Sequence, residues 1–155
     1  MILLVVMNPQ KAGPLVRWGL RFARSSGEAV TILAVESALD DVSPRAYDEK
    51  LDADNALVKE VLPVMESERG DIEVTLEVMQ HPHRIQGILS VTEKKTPSLL
   101  ILGKHGRAAA GDREAIIARE CFEKAHCATM LIRIGDGDEA LSRGRIVVPL
   151  SLIHI

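Results

Sequence analysis

A chain of 155 residues with 46% hydrophobic residues is long enough for one domain with a substantial core. Its 19 Lys and Arg stand against 22 Asp and Glu, a formal charge of −3, and the basic residues are interspersed with acidic ones, which argues against the basic stripe of a nucleic-acid binder. The apolar start, Ile2 to Met7, is too short for a signal-peptide core or a membrane span, so a cytoplasmic location without direct membrane insertion is expected.

Ile2 to Met7 reads as a strand buried on both faces. Asn8-Pro9-Gln10-Lys11-Ala12-Gly13-Pro14 has the turn chemistry that ends it. Leu15, Trp18, Gly19, Phe22 and Ala23 then recur at helical spacing, with Arg17, Arg21 and Arg24 on the other face. This predicts an amphipathic helix with Pro14 near its start and Gly27 past its end. Ala29 to Val35 predicts a second strand, parallel to the first through a right-handed βαβ unit. Glu36 to Asp54 is acidic and irregular and contains Pro44, so a solvated loop running into a helix is expected. Leu57, Val58, Val61, Leu62 and Met65 mark that helix, which Pro63 should kink or divide and Gly70 close. Ile72 to Met79 alternates strictly, the pattern of an edge strand with one wet face.

His81-Pro82-His83 opens the next helix, carried by Ile85, Ile88, Leu89 and Thr92 and ended by Lys94, Lys95 and Pro97. Leu99 to Leu102 is a bare apolar run and predicts a central strand. It gives way to Gly103-Lys104-His105-Gly106-Arg107, expected to be a loop at the carboxyl end of that strand, where open α/β sheets bind ligands. Its two glycines would let the backbone approach a bound group, and Lys104, His105 and Arg107 could supply donors to an anion. Asp112 suits the N-cap of a last helix reaching about Ala125, with Ile116, Ile117, Cys121 and Phe122 toward the sheet. Ala128 to Ile134 is the fifth strand.

The alternation implies an α/β fold, a doubly wound, five-stranded parallel sheet of order 3-2-1-4-5 with helices on both faces, Rossmann-like, over residues 1–135. Residues 136–144 read as an acidic linker. Arg145-Ile146-Val147-Val148-Pro149 reads as the opening strand of a second module that has scarcely begun, with nothing to bury itself against.

No catalytic or metal site is expected. Cys121 and Cys127 lie six apart with no CxxC and no further ligands, and read as buried thiols. His81, His83 and His105 lack metal-site spacing, and Asp40-Asp41 and Asp52-x-Asp54 sit in polar stretches with nothing beside them to shift a pKa. No Walker loop or Gly-x-Ser-x-Gly elbow occurs, so a non-enzymatic domain is expected.

These residues resemble the universal stress protein family, part of the adenine nucleotide alpha hydrolase-like group of folds. The resemblance is carried by Ile2 to Met7, the long linker Glu36 to Asp54, Gly103-Lys104-His105-Gly106 after the fourth strand, Glu114 to Ala125, Cys127, and Met130-Leu131-Ile132. It implies ATP or AMP as ligand, with a candidate nucleotide or anion site at Met7, Asn8, Val35, Gly103, Lys104, His105, Gly106 and Arg107. Two departures imply a degenerate site. Where the family has Gly-Ser or Gly-Thr about nine residues past the glycine loop, this chain has Ala115-Ile116 or, counted strictly, Ile116-Ile117. Met7 or Asn8 stands in place of the family's acidic residue after strand one. The expectation is therefore a regulatory stress-response module. The alternatives are a working adenine-nucleotide binder and a soluble domain associated with a transporter. The resemblance also implies homodimer or tandem-domain pairing through the last strand, Ala128 to Ile134. By it the chain looks like the first domain of a tandem protein truncated in its second, and residues 150–155 look like an artefact of translated sequencing-library adapter.

Overall fold

The computed structural model describes residues 1–105, 113–134 and 146–147. In chain order the elements are β1 (Ile2–Val6), α1 (Pro9–Ser26), β2 (Val30–Ser37), β3 (Val42–Ala46), α2 (Ala56–Glu68), β4 (Val74–His81), α3 (Arg84–Lys95), β5 (Leu99–His105), α4 (Arg113–Lys124), β6 (Ala128–Ile134) and β7 (Ile146–Val147). They form one seven-stranded sheet of order β3-β4-β2-β1-β5-β6-β7. Its five central strands are parallel and stand in the expected order, with β4, β5 and β6 as the third, fourth and fifth strands.

The bare apolar runs go to the centre because strands covered on both faces have no side to give to water. All five residues of β1 are buried, and Leu4 pairs with Ile32 on one side and Ile101 on the other. One apolar layer, containing Leu4, Ile32, Ile101 and Ile132, lies under α1 and α2 with Leu20, Val58 and Val61. The opposite layer, containing Leu3, Val5, Leu33 and Leu102, lies under α3 and α4 with Ile88, Ile117 and Cys121.

Four expectations need correction. The stretch from Glu36 to Asp54 is not all loop, because Val42–Ala46 pairs antiparallel with β4. The strand read as an edge is therefore covered on that side, and its alternation reflects one buried face, with Val74, Leu76 and Val78 inward. Helix α1 begins at Pro9, where a missing N–H costs no intrahelical bond, and Asn8 caps it by accepting from Gln10 N at 3.0 Å; Pro14 lies inside. Pro63 does not divide α2, which runs unbroken from Ala56 to Glu68.

At the far edge, Ile146 and Val147 pair antiparallel with Ile132 and Leu131. The stretch read as the opening of a second module thus has a partner in the first sheet. Asp112 and residues 136–144 and 150–155 lie outside the described residues.

Candidate functional site

Strands β1 and β5 are neighbours, yet α1 leaves β1 for one face of the sheet while α4 leaves β5 for the other. Such a reversal opens a crevice at the carboxyl edge. On the α3 and α4 side of that edge lies a cleft of about 310 Å³. Ser37 from the end of β2, His83, Arg84 and Ile85 from the start of α3, and Ile116 and Ile117 from α4 line it, with Pro82 between β4 and α3.

The α3 wall is held by a short chain of contacts. The His83 backbone N–H donates to His81 Nδ1 at 2.9 Å, and His81 Nε2 stands 3.7 Å from Asp41 Oδ2. This ties the Pro82 turn to the end of β4. Gly87 lets α3 sit close on that strand, since a Cβ there would come within 3.0 Å of both His81 Cγ and Met79 Cε. Arg84 is the first residue of α3, and the first turn holds no acidic residue. Among the described residues Arg84 makes no ion pair or hydrogen bond.

The α4 wall is apolar. Ile116 is 48% exposed at the cleft, whereas Ile117 is 6% exposed and packs into the layer beneath α3 and α4. The side chains of the α4 wall at Ile116 and Ile117 therefore offer an anion no hydrogen-bond donor.

The expected site residues are largely elsewhere. Met7, 8% exposed, and Val35, fully buried, belong to the core layer under α3 and α4, and Asn8 is occupied in capping α1. The basic loop does not begin at Gly103. Instead β5 continues through His105, with Gly103, Lys104 and His105 paired to Ile132, Arg133 and Ile134. Gly103 has no positive φ, so no turn demands it. Space is tight instead, because a Cβ would stand 3.1 Å from Leu15 Cδ2. Gly106 and Arg107 lie outside the described residues. Ser37, Pro82, Arg84 and Ile85 were not read as site residues from the sequence, although all stand at or just past the carboxyl ends of β2 and β4, where the rule for open sheets places ligands.

A larger recess, about 540 Å³, opens at the amino edge between Arg24, Gly27, Glu28, Gly70, Asp71 and Glu73. It is a gap between two turns in which two of the charges are engaged: Arg24 reaches the Glu68 backbone carbonyl, and Glu28 Oε1 accepts from Ser98 Oγ at 2.5 Å and from the Met1 amine at 3.2 Å. The carboxyl-edge cleft is the better site despite its smaller size. Nor do the described residues hold a group of three or more metal-ligating side chains. Burial pushes the Cys121 thiol up to about 12, which removes it as a nucleophile at neutral pH.

The fold is a doubly wound α/β domain with a crevice at the carboxyl edge of its sheet. The model of the universal stress protein family matches residues 1–133. The chain belongs to that family. Among solved structures, a universal stress protein from Archaeoglobus fulgidus superposes with a TM-score of 0.60 at 17% identity, covering 84% of this chain and 96% of that one. A universal stress protein in complex with cAMP gives a TM-score of 0.60 at 12% identity, covering 84% and 95%. A family protein from Arabidopsis thaliana with AMP bound gives 0.53 at 16% identity, covering 90% and 95%. At these identities the likeness establishes the fold. Comparison with curated proteins finds no match. No helix among the described residues is long and apolar enough to cross a membrane.

Proposed function

We propose that this domain is a non-enzymatic regulatory module, working in the cytoplasm, whose carboxyl-edge cleft takes an adenine mononucleotide weakly and has lost the grip on a triphosphate. The observation that carries this is the α4 wall. By the resemblance a glycine and a hydroxyl belong where this chain has Ala115-Ile116 or, counted strictly, Ile116-Ile117, and the cleft that Ile116 and Ile117 line is apolar on that side. Phosphate oxygens in such sites are held by backbone N–H groups and hydroxyls at close approach, and an isoleucine supplies no donor while adding bulk. The mononucleotide part is supported by the cleft's volume, about 310 Å³, and by family structures that carry AMP and cAMP.

The non-enzymatic part is supported by the residues at the cleft. His83 and Arg84 are its titratable members, and no carboxylate or thiol joins them among the described lining residues. Pairing with a second copy or a tandem domain through β6 is the mode of association we propose.

Titration of ¹⁵N-labelled protein with AMP into the millimolar range tests the cleft. Resonances of Ser37, Arg84 and Ile116 are expected to move together, and AMP should be recovered unchanged afterwards. Shifts confined to the amino edge, or none at all, would contradict the assignment, and conversion of AMP to another species would contradict the non-enzymatic reading.

A further inference from the structure

The geometry points to Arg84 as the residue that holds the anionic head of the cleft's ligand, and to a nucleoside monophosphate as the class of ligand it selects. This rests on the mononucleotide reading of the cleft and adds the group that recognises the phosphate. Among the described residues Arg17, Arg21 and Arg24 share Glu68, Arg45 holds Asp52 and Arg119 faces Glu123, while Arg69 and Arg133 do not line the cleft. Arg84 lines the cleft and has no such partner among the described residues.

The rest of the lining sets the other half of the specificity. Ile85, Ile116 and Ile117 give apolar walls suited to a flat heterocycle, and the Ser37 hydroxyl is both donor and acceptor. A site with apolar walls, one hydroxyl, the His83 imidazole and the uncommitted Arg84 guanidinium fits a ligand with a planar body and a single compact anionic group. A guanidinium can take two phosphate oxygens in parallel, which a lone ammonium does not do. At about 310 Å³ the cleft lies near the lower limit of the roughly 300–1,000 Å³ typical of ligand sites, which favours one phosphate over three.

The test compares AMP with adenosine, on the full chain and on Arg84→Gln, by NMR titration. The wild-type protein is expected to bind AMP about tenfold or more tightly than adenosine. Arg84→Gln should bring the two ligands to equal affinity while leaving adenosine affinity within about twofold of wild type. Amide spectra otherwise superimposable with wild type would show that the variant folds. If AMP keeps its advantage in Arg84→Gln, the assignment of Arg84 is overturned while the mononucleotide reading stands. If neither ligand moves cleft resonances in the wild-type protein, both are overturned.

Discussion

Arg45 and Asp52 close the acidic stretch between β2 and α2. The Asp52 carboxylate is 3% exposed; it accepts from Arg45 Nη1 at 2.8 Å, Arg45 Nη2 at 2.5 Å and the Asp48 backbone N–H at 2.8 Å. The Arg45 bonds hold its pKa below the ordinary 3.8, ahead of the opposing effect of burial. A carboxyl whose folded pKa is depressed adds stability above its unfolded value and loses it as pH falls through the folded one. Asp52→Asn is therefore expected to cost about 2 kcal/mol in urea unfolding at pH 7, and the gap from wild type to shrink below about pH 4. A gap independent of pH would contradict this role. The residue could not be read from sequence because its partner comes from β3, a strand whose exposed, proline-containing sequence carries no periodic signal. Gly103 misled for a related reason: the close approach at its Cα comes from Leu15, far away in the chain, and not from the local turn its neighbours suggest.

Helix α1 illustrates what local chemistry does and does not reveal. Its apolar stripe was legible because the side chains that face the sheet, among them Leu15, Gly19 and Ala23, repeat at helical spacing. Its start was not, because two prolines compete and only the cap decides between them. Asn8→Ala is expected to lower stability by about 1 kcal/mol. At the other end Gly27 has φ 73° and donates its N–H to Ala23 O at 2.8 Å. Gly27→Ala should cost about 1 kcal/mol as well, although nothing lies within 4 Å of the added Cβ, since the penalty is conformational. Thermal unfolding of the two single variants and of the double variant checks both, with near-additive losses expected because the ends of the helix share no partner. A double variant no less stable than either single one would contradict that account.

At the scale of the whole molecule, the order of the parallel strands was legible because the bare apolar runs of β1 and β5 must lie inside the sheet. The two antiparallel edges were not, since β3 and β7 are short and their pairing depends on strands distant in sequence. The pairing of Ile146 and Val147 with β6 shows that this edge accepts an antiparallel strand. Residues 1–134 alone are expected to self-associate in sedimentation at high concentration, and a strict monomer would count against association through β6. The central claim is the proposed degeneracy of the cleft, in which Ala115-Ile116 or, counted strictly, Ile116-Ile117 would stand in place of the groups that grip a triphosphate. Losing two charge-assisted hydrogen bonds, at about 1.5–3 kcal/mol each, weakens binding by on the order of a hundredfold or more. Titration calorimetry of the full chain with ATP, set beside AMP, is the direct measurement: ATP bound no more tightly than AMP is the predicted result, and micromolar ATP binding that exceeds AMP would contradict it.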